Sequence, residues 1–205
     1  AEYYDDFVAN ENIIKRKFGA RDMLNLIAQT QLQSGYPYLM FKDNANKNHA
    51  LREIGQVKMS NLCTEIFQLQ ETSVIKDYGE SDVIKRDISC NLASLNIVNV
   101  MESKKLKESI YSGMDALTFV SDSTKIKNAP GVVKANEEFH SVGLGAMNLN
   151  GYLAKNLIAY DSEEAKDFAN VFFMMMNYYT IERSMQIAKE RKETFKDFEK
   201  SDYYN

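Results

Sequence analysis

Met59-Ser60-Asn61-Leu62-Cys63-Thr64-Glu65-Ile66 places an amide, a thiol and a carboxylate at every second position. In extended backbone, positions i, i+2 and i+4 point the same way. Asn61, Cys63 and Glu65 are therefore expected to face one space, with Leu62, Thr64 and Ile66 facing the other. Residues 58–69 have no clean helical period, so a strand or an ordered loop fits them best. The amide can orient a hydroxyl, and the carboxylate can accept or donate a proton. The thiol can act as a nucleophile or as a hydrogen-atom carrier. A nucleophilic thiol wants a lowered pKa from a nearby cation or a helix N-terminus. A carboxylate two residues away disfavours the thiolate instead. The neighbourhood favours a neutral S–H, the state that gives or takes a hydrogen atom. The plain alternative stays open, because cysteine is among the most buried residue types and short polar patterns recur by chance.

Working outward, Ile88, Cys90 and Leu92 alternate with polar or small residues. This predicts a strand over 87–97 with Cys90 on the side of the two apolar groups. Read alone, Cys90 is a core cysteine. Upstream, Met23, Leu24, Ile27 and Ala28 predict a helix over 20–33, ended by Ser34-Gly35. The apolar run 38–41, after Pro37, reads as a buried strand. Residues 42–56, rich in Asn and Lys, read as a loop, as do 70–86.

Downstream the pattern is helical. Leu106, Ile110, Met114, Leu117 and Val120 step by three and four, giving a helix over 103–126. Val132, Ala135, Phe139, Val142, Ala146, Leu149 and Leu153 continue that period, giving a helix over 131–154 after Pro130. Asp161, with Glu164 three residues later, has the form of a capping box and opens a helix over 162–191. That helix is apolar on nearly every face between 168 and 185, which predicts burial in something larger. Strands are few for so many buried helices, as in an excised part of an α/β protein. The tail 195–205 shows no closing element.

Composition narrows the function classes. Hydrophobic residues make up 44% and charged residues 26% of the 205, the balance of an ordinary folded domain. The net charge is −4, without a basic stripe, which argues against phosphate-led nucleic-acid binding. No stretch approaches the length of a membrane span. The first residues, Ala1-Glu2-Tyr3-Tyr4-Asp5-Asp6, have no secretory pattern. Two cysteines do not make a disulfide scaffold, so a cytoplasmic protein with reduced thiols is expected. His49 and His140 are too scattered for a zinc site, and no metal ligands are expected.

Taken together, Ser60-Asn61-Leu62-Cys63-Thr64-Glu65-Ile66 and Asp87-Ile88-Ser89-Cys90-Asn91-Leu92-Ala93-Ser94-Leu95-Asn96-Ile97 closely resemble the large, catalytic subunit of class Ib ribonucleotide reductases. Ser34-Gly35-Tyr36-Pro37-Tyr38-Leu39-Met40-Phe41 resembles the segment upstream. His140-Ser141-Val142-Gly143-Leu144-Gly145-Ala146-Met147-Asn148-Leu149-Asn150-Gly151-Tyr152-Leu153-Ala154 resembles the segment downstream. The resemblance implies an α/β fold, a helix-rich part of the family's ten-stranded barrel, with the radical-cysteine loop at about 58–66. It implies reduction of ribonucleoside diphosphates to deoxyribonucleoside diphosphates. Cys63 then carries the thiyl radical that removes the ribose 3′ hydrogen, and Glu65 takes the 3′ hydroxyl proton. Asn61 holds the ribose by hydrogen bonds. Cys90 is one of two reducing cysteines. Asn61 and Glu65 are also the substrate-binding residues.

The resemblance further implies a radical supplied by a metal-containing small subunit, a glutaredoxin-like or thioredoxin reductant, and a homodimer of the full-length large subunit. ATP and dNTP effectors would bind outside this region. Cys90's partner cysteine, the phosphate loop and the radical-relay tyrosines have no counterpart in the sequence. The chain is therefore expected to be part of a larger enzyme and inactive alone, with no nucleic-acid or membrane partner. Two other classes compete. A thiol-disulfide oxidoreductase would use Cys63 and Cys90, but Cys-x-x-Cys is absent. A non-catalytic helical interaction module would leave Asn61, Cys63 and Glu65 dispensable. His140 reads as a satisfied structural histidine within a helix, and Gly143-Leu144-Gly145 as close helix packing rather than a nucleotide fingerprint. Met174-Met175-Met176 reads as core packing.

Overall fold

In a computed structural model, which describes residues 3–204, the chain divides into two units at residues 39 and 40. The first holds α1 (Tyr4–Ala9) and α2 (Ala20–Ser34). Helix α2 stops where the sequence predicts. Gly35 adopts φ 78°, and its N–H donates to the Gln31 carbonyl at 2.8 Å. Only glycine takes that left-handed conformation without a Cβ penalty. The predicted strand over 38–41 does not form. Tyr38 and Leu39 are about half exposed and Phe41 is 73% exposed. A wholly apolar strand needs paired neighbours and two covered faces, and these residues belong to neither strand of the sheet described below.

The second unit runs α3 (Lys42–Asn48), β1 (Leu92–Asn96), α4 (Ile97–Ser103), α5 (Leu106–Ser123), α6 (Pro130–Phe139), β2 (Gly143–Met147), α7 (Leu149–Lys155) and α8 (Glu163–Arg191), then a 3₁₀ turn at Phe198–Lys200. Helix α3 corrects the loop expected over 42–56. Its Asn-rich sequence is a poor helix former, so packing must hold it. Asn46 provides that hold: it accepts from Val57 N–H at 2.7 Å and donates to Val57 C=O at 2.8 Å.

Strands β1 and β2 form a parallel pair, in register from Leu92 opposite Gly143 to Asn96 opposite Met147. The strand expected over 87–97 is shorter than predicted. Its first residues are drawn off by other partners: Asp87 N–H donates to Gly131 C=O at 3.1 Å, and Ser89 pairs with Gln68. At the other end, Asn96 caps α4 by accepting from Asn99 N–H.

The single helix expected over 131–154 is in fact α6, β2 and α7. His140 ends α6 in the left-handed region, at φ 50°. Val142, Leu144 and Ala146 then alternate toward the core. The glycines between them serve strand pairing rather than helix packing. A Cβ on Gly143 would lie 2.5 Å from the Leu92 side chain across the sheet.

Ile97, Ile110, Met114, Phe172 and Met176 form the core, flanked by Leu144, Tyr152 and Phe168. Helix α8 lies against α5, and the two are also joined by polar contacts. Tyr111 donates to Glu182 at 2.5 Å, and Arg183 pairs with Asp115 at 2.7 Å. Ser162, not Asp161, caps α8, accepting from Ala165 N–H at 3.1 Å. The helix is two-sided rather than enclosed. Phe172 and Met176 are buried, while Val171, Met174, Tyr178, Ile181 and Met185 lie exposed along a second, heptad-spaced line. Met176 alone of the three consecutive methionines is a buried core residue. The tail, expected to lack a closing element, is pinned. Lys196 N–H donates to Glu138 C=O at 2.8 Å, Asp202 N–H donates to Ala50 C=O at 2.9 Å, and Ser201 is buried.

Candidate active site

Residues 57–70 are irregular, so their main-chain polar groups need partners outside a helix or sheet. Side-chain amides supply them. Gln70, buried, accepts from Met59 N–H at 3.0 Å and donates to Met59 C=O at 2.6 Å. Gln68 treats Ser89 in the same way, accepting at 2.8 Å and donating at 2.7 Å. With Asn46 on Val57, three amides each grip both main-chain groups of one residue, as a neighbouring strand would. Val57 and Leu69 are buried at the ends of this segment.

Between these ends the chain turns at Cys63. Thr64 N–H donates to Asn61 C=O at 3.1 Å. Asn61 Oδ1 accepts from Glu65 N–H at 3.2 Å and from Ile66 N–H at 3.0 Å. Thr64 sits at φ 63°. A β-branched residue in the left-handed region stores strain of about 1–3 kcal/mol and persists only where its surroundings hold it. Here the hold comes from Asn61. The extended backbone expected to align Asn61, Cys63 and Glu65 is therefore absent. Asn61 is half-buried with its carbonyl oxygen turned onto the loop's own N–H groups, which leaves its NH₂ as the group available to a ligand. Cys63 and Glu65 are exposed at the turn.

Cys90 is also an exposed free thiol, not the core residue its apolar neighbours predict. The buried member of that pair is Ser89, 6% exposed, because its main chain is gripped by Gln68. The Gln68 clamp thus brings the Cys63 loop and the residue before Cys90 into contact. Neither thiol stands at a helix N-terminus. Just upstream, buried Arg86 donates to Glu138 at 2.7 Å, pairs with Glu71 at 3.0 Å and lies 4.7 Å over the Phe139 ring. Burial works against ionising Glu138, but hydrogen bonds from Arg86 and Lys196 outweigh it and hold its carboxyl below the usual range.

Other polar residues lie apart from this loop. His140 is not a satisfied helical histidine. It is the left-handed cap of α6, its buried Nδ1 makes no hydrogen bond, and Asp122 is 3.8 Å away. A hollow lined by Lys125, Lys127, Lys134 and Glu137 includes none of the four candidate residues. Among the described residues no cluster of three or more His, Cys, Asp or Glu could hold a metal ion. Sequence reasoning missed Gln68, Gln70 and Thr64, since nothing in their residue type announces a main-chain clamp or a positive φ.

The ribonucleotide reductase barrel domain matches residues 1–205. The ribonucleoside-diphosphate reductase subunit alpha of Bacillus subtilis is 54% identical over 202 residues, covering 98% of this chain and 29% of its own length. The subunit alpha of Mycoplasma genitalium is 41% identical over 203 residues, covering 98% of this chain and 28% of its own. Among solved structures, the Actinobacillus ureae class Id ribonucleotide reductase alpha subunit superposes with TM-score 0.67 at 27% identity, over 82% of this chain and 32% of that one. The chain spans less than a third of the length of these curated relatives.

Proposed function

The chain belongs to the ribonucleotide reductase barrel-domain family, and we propose on that premise that it forms part of the catalytic subunit of a class Ib ribonucleoside-diphosphate reductase. The observation that carries the reading is the strained turn 61–66. It exposes Cys63 beside Glu65 and is tied through Gln68 to the residue before a second exposed thiol, Cys90.

In this reading Cys63, as a thiyl radical, removes the hydrogen atom from the ribose 3′ carbon. Glu65 takes the 3′ hydroxyl proton, a transfer that needs direct hydrogen-bond reach. Asn61 donates from its NH₂ to the ribose, since its oxygen is committed to the loop. The 2′ hydroxyl leaves as water. The two hydrogens and two electrons come from Cys90 and a second cysteine beyond this sequence, which end as a disulfide. The radical originates on a metal-containing small subunit, and a glutaredoxin-like or thioredoxin partner restores the thiols. The full-length subunit pairs as a homodimer in the cytoplasm, with ATP and dNTP effectors bound outside this segment. Among the described residues no helix is long and apolar enough to cross a membrane.

The test uses the full-length subunit with its small subunit, a dithiol and a ribonucleoside diphosphate. Cys63→Ala should abolish deoxynucleotide formation with an unchanged circular dichroism spectrum, and Cys90→Ser should stop turnover. Activity in a folded Cys63→Ala protein would overturn the assignment. The 205-residue chain alone should show no turnover, because the second reducing sulfur is missing. A second reading, a helical interaction module, draws on the exposed line along α8. It requires Asn61, Cys63 and Glu65 to be dispensable in the same assay.

A further inference from the structure

The three amide clamps differ in what they join. Asn46 and Gln70 close the irregular segment onto α3 and onto itself. Gln68 reaches across 21 residues to Ser89, and Ser89 directly precedes Cys90. We propose that Gln68 is a positioning residue that fixes the register between the Cys63 turn and the Cys90 thiol; this rests on the assignment of those two thiols made above.

The segment around Cys90 is anchored elsewhere to α5, to α6 and to the start of β2, where Gly143 N–H donates to Asn91 C=O at 2.9 Å, and just upstream Glu71 N–H donates to Arg86 C=O at 3.1 Å. Asp87 N–H donates to Gly131, and Asn91 donates to the Leu117 carbonyl at 2.8 Å. Among the described residues, the hydrogen bonds that join residues 58–69 to residues 87–91 are the two made by Gln68. One hydrogen bond fixes a separation, whereas two from a planar amide also fix rotation. Ser89 is buried, so its main-chain N–H and C=O have no water to turn to if the amide is lost. The proposed chemistry requires Cys63 and Cys90 to act on adjacent carbons of one ribose, so an error in register reaches both steps. A displacement of about 1 Å from productive geometry can cost about 100-fold in rate.

The experiment uses the full-length subunit with its small subunit, a dithiol and a ribonucleoside diphosphate. Gln68→Met keeps the length and removes both hydrogen bonds. Its kcat should fall about 10- to 100-fold with KM within about twofold of wild type, since the loss is confined to the transition state. Gln68→Glu is the conservative rescue. A protonated carboxyl offers one donor and one acceptor, as the amide does, whereas the ionised form only accepts. Its kcat, taken as a ratio to wild type at each pH, should rise as pH falls from about 7 to about 5, toward the ordinary carboxyl pKa of about 4.3, while the Gln68→Met ratio stays flat. A residue that only supports folding would not produce that contrast. A Gln68→Met kcat within about twofold of wild type, or a pH-independent Gln68→Glu ratio, overturns the proposal. Cys63→Ala is assayed alongside. If it is active, the reading of the site fails; if it is dead while Gln68→Met is normal, only the role of Gln68 fails.

Discussion

Arg86 donates to the Glu138 carboxylate at 2.7 Å and so ties the segment leading to Cys90 onto α6. Arg86 is 8% exposed and shares its charge with Glu71, and Glu138 also receives Lys196 at 3.1 Å. Removing one partner of a buried pair leaves the other charge without full compensation. Glu71 remains, so Glu138→Gln should cost about 1–3 kcal/mol rather than the full penalty of an isolated charge. Urea unfolding of the chain measures it.

The same pair sets a pH dependence. Glu138 has an ordinary value of 4.5 and is held lower in the fold, with burial opposing the shift and the bonds from Arg86 and Lys196 outweighing it. A carboxyl lowered by folding stabilises the fold fully above its unfolded pKa, and that stability is lost as pH falls through its folded pKa. The wild-type chain should therefore lose stability below pH 4.5 more steeply than Glu138→Gln. Unfolding midpoints measured across the acid range give the comparison, and parallel curves would contradict it.

Two glycines should respond differently to one added methyl. At Gly131 a Cβ would lie 2.9 Å from the Lys85 carbonyl and 3.2 Å from Asp87 Cβ. Gly131 also accepts from Asp87 N–H, so the backbone cannot retreat without breaking that bond. Gly131→Ala should destabilise by about 1–3 kcal/mol, the usual cost of overpacking. At Gly143 the clash is with the end of Leu92, a side chain 50% exposed that can swing outward. Gly143→Ala should cost less than about 1 kcal/mol. Paired urea titrations test the order of the two.

Ser162 rather than Asp161 closes the start of α8, so Ser162→Ala should cost about 1 kcal/mol. Asp161→Ala should change stability by no more than about 0.5 kcal/mol, as at an ordinary exposed position. Equal losses would restore the capping box read from the sequence.

These contrasts show what was legible in the residues. The period of α2, with Gly35 beyond it, was readable because propensity, apolar stripe and cap agree. Strand β2 was hidden because Val142, Ala146 and Leu149 also fit a helical step. Yet the sequence also alternates Val142, Leu144 and Ala146 with Gly143 and Gly145, and pairing with β1 decides for the strand. Helix α3 could not be read from its asparagines, because its hold comes from Val57, outside the helix. The chemistry proposed for Asn61, Cys63 and Glu65 rests on their residue types. Their geometry was not legible there, since it turns on the left-handed Thr64 and on amides reaching over long sequence separations.

Asn61 has an observed role and a proposed one, which substitution can separate. Its Oδ1 accepts from Glu65 and Ile66 N–H, and in the proposed reaction its NH₂ donates to the ribose. Asn61→Asp keeps an acceptor in place and gives up the donor, whereas Asn61→Leu gives up both. Hydrogen exchange at the Glu65 and Ile66 amides should stay near wild type in Asn61→Asp and speed up about tenfold in Asn61→Leu, the equivalent of about 1.4 kcal/mol for a lost hydrogen bond. In the full-length enzyme both variants should lose activity. Asn61→Asp would then do so with an intact turn, because a carboxylate cannot donate to a ribose hydroxyl and sets a second negative charge near Glu65. Full activity in Asn61→Asp would remove the amide from substrate binding and leave it only the task of holding Cys63 at the tip of its turn.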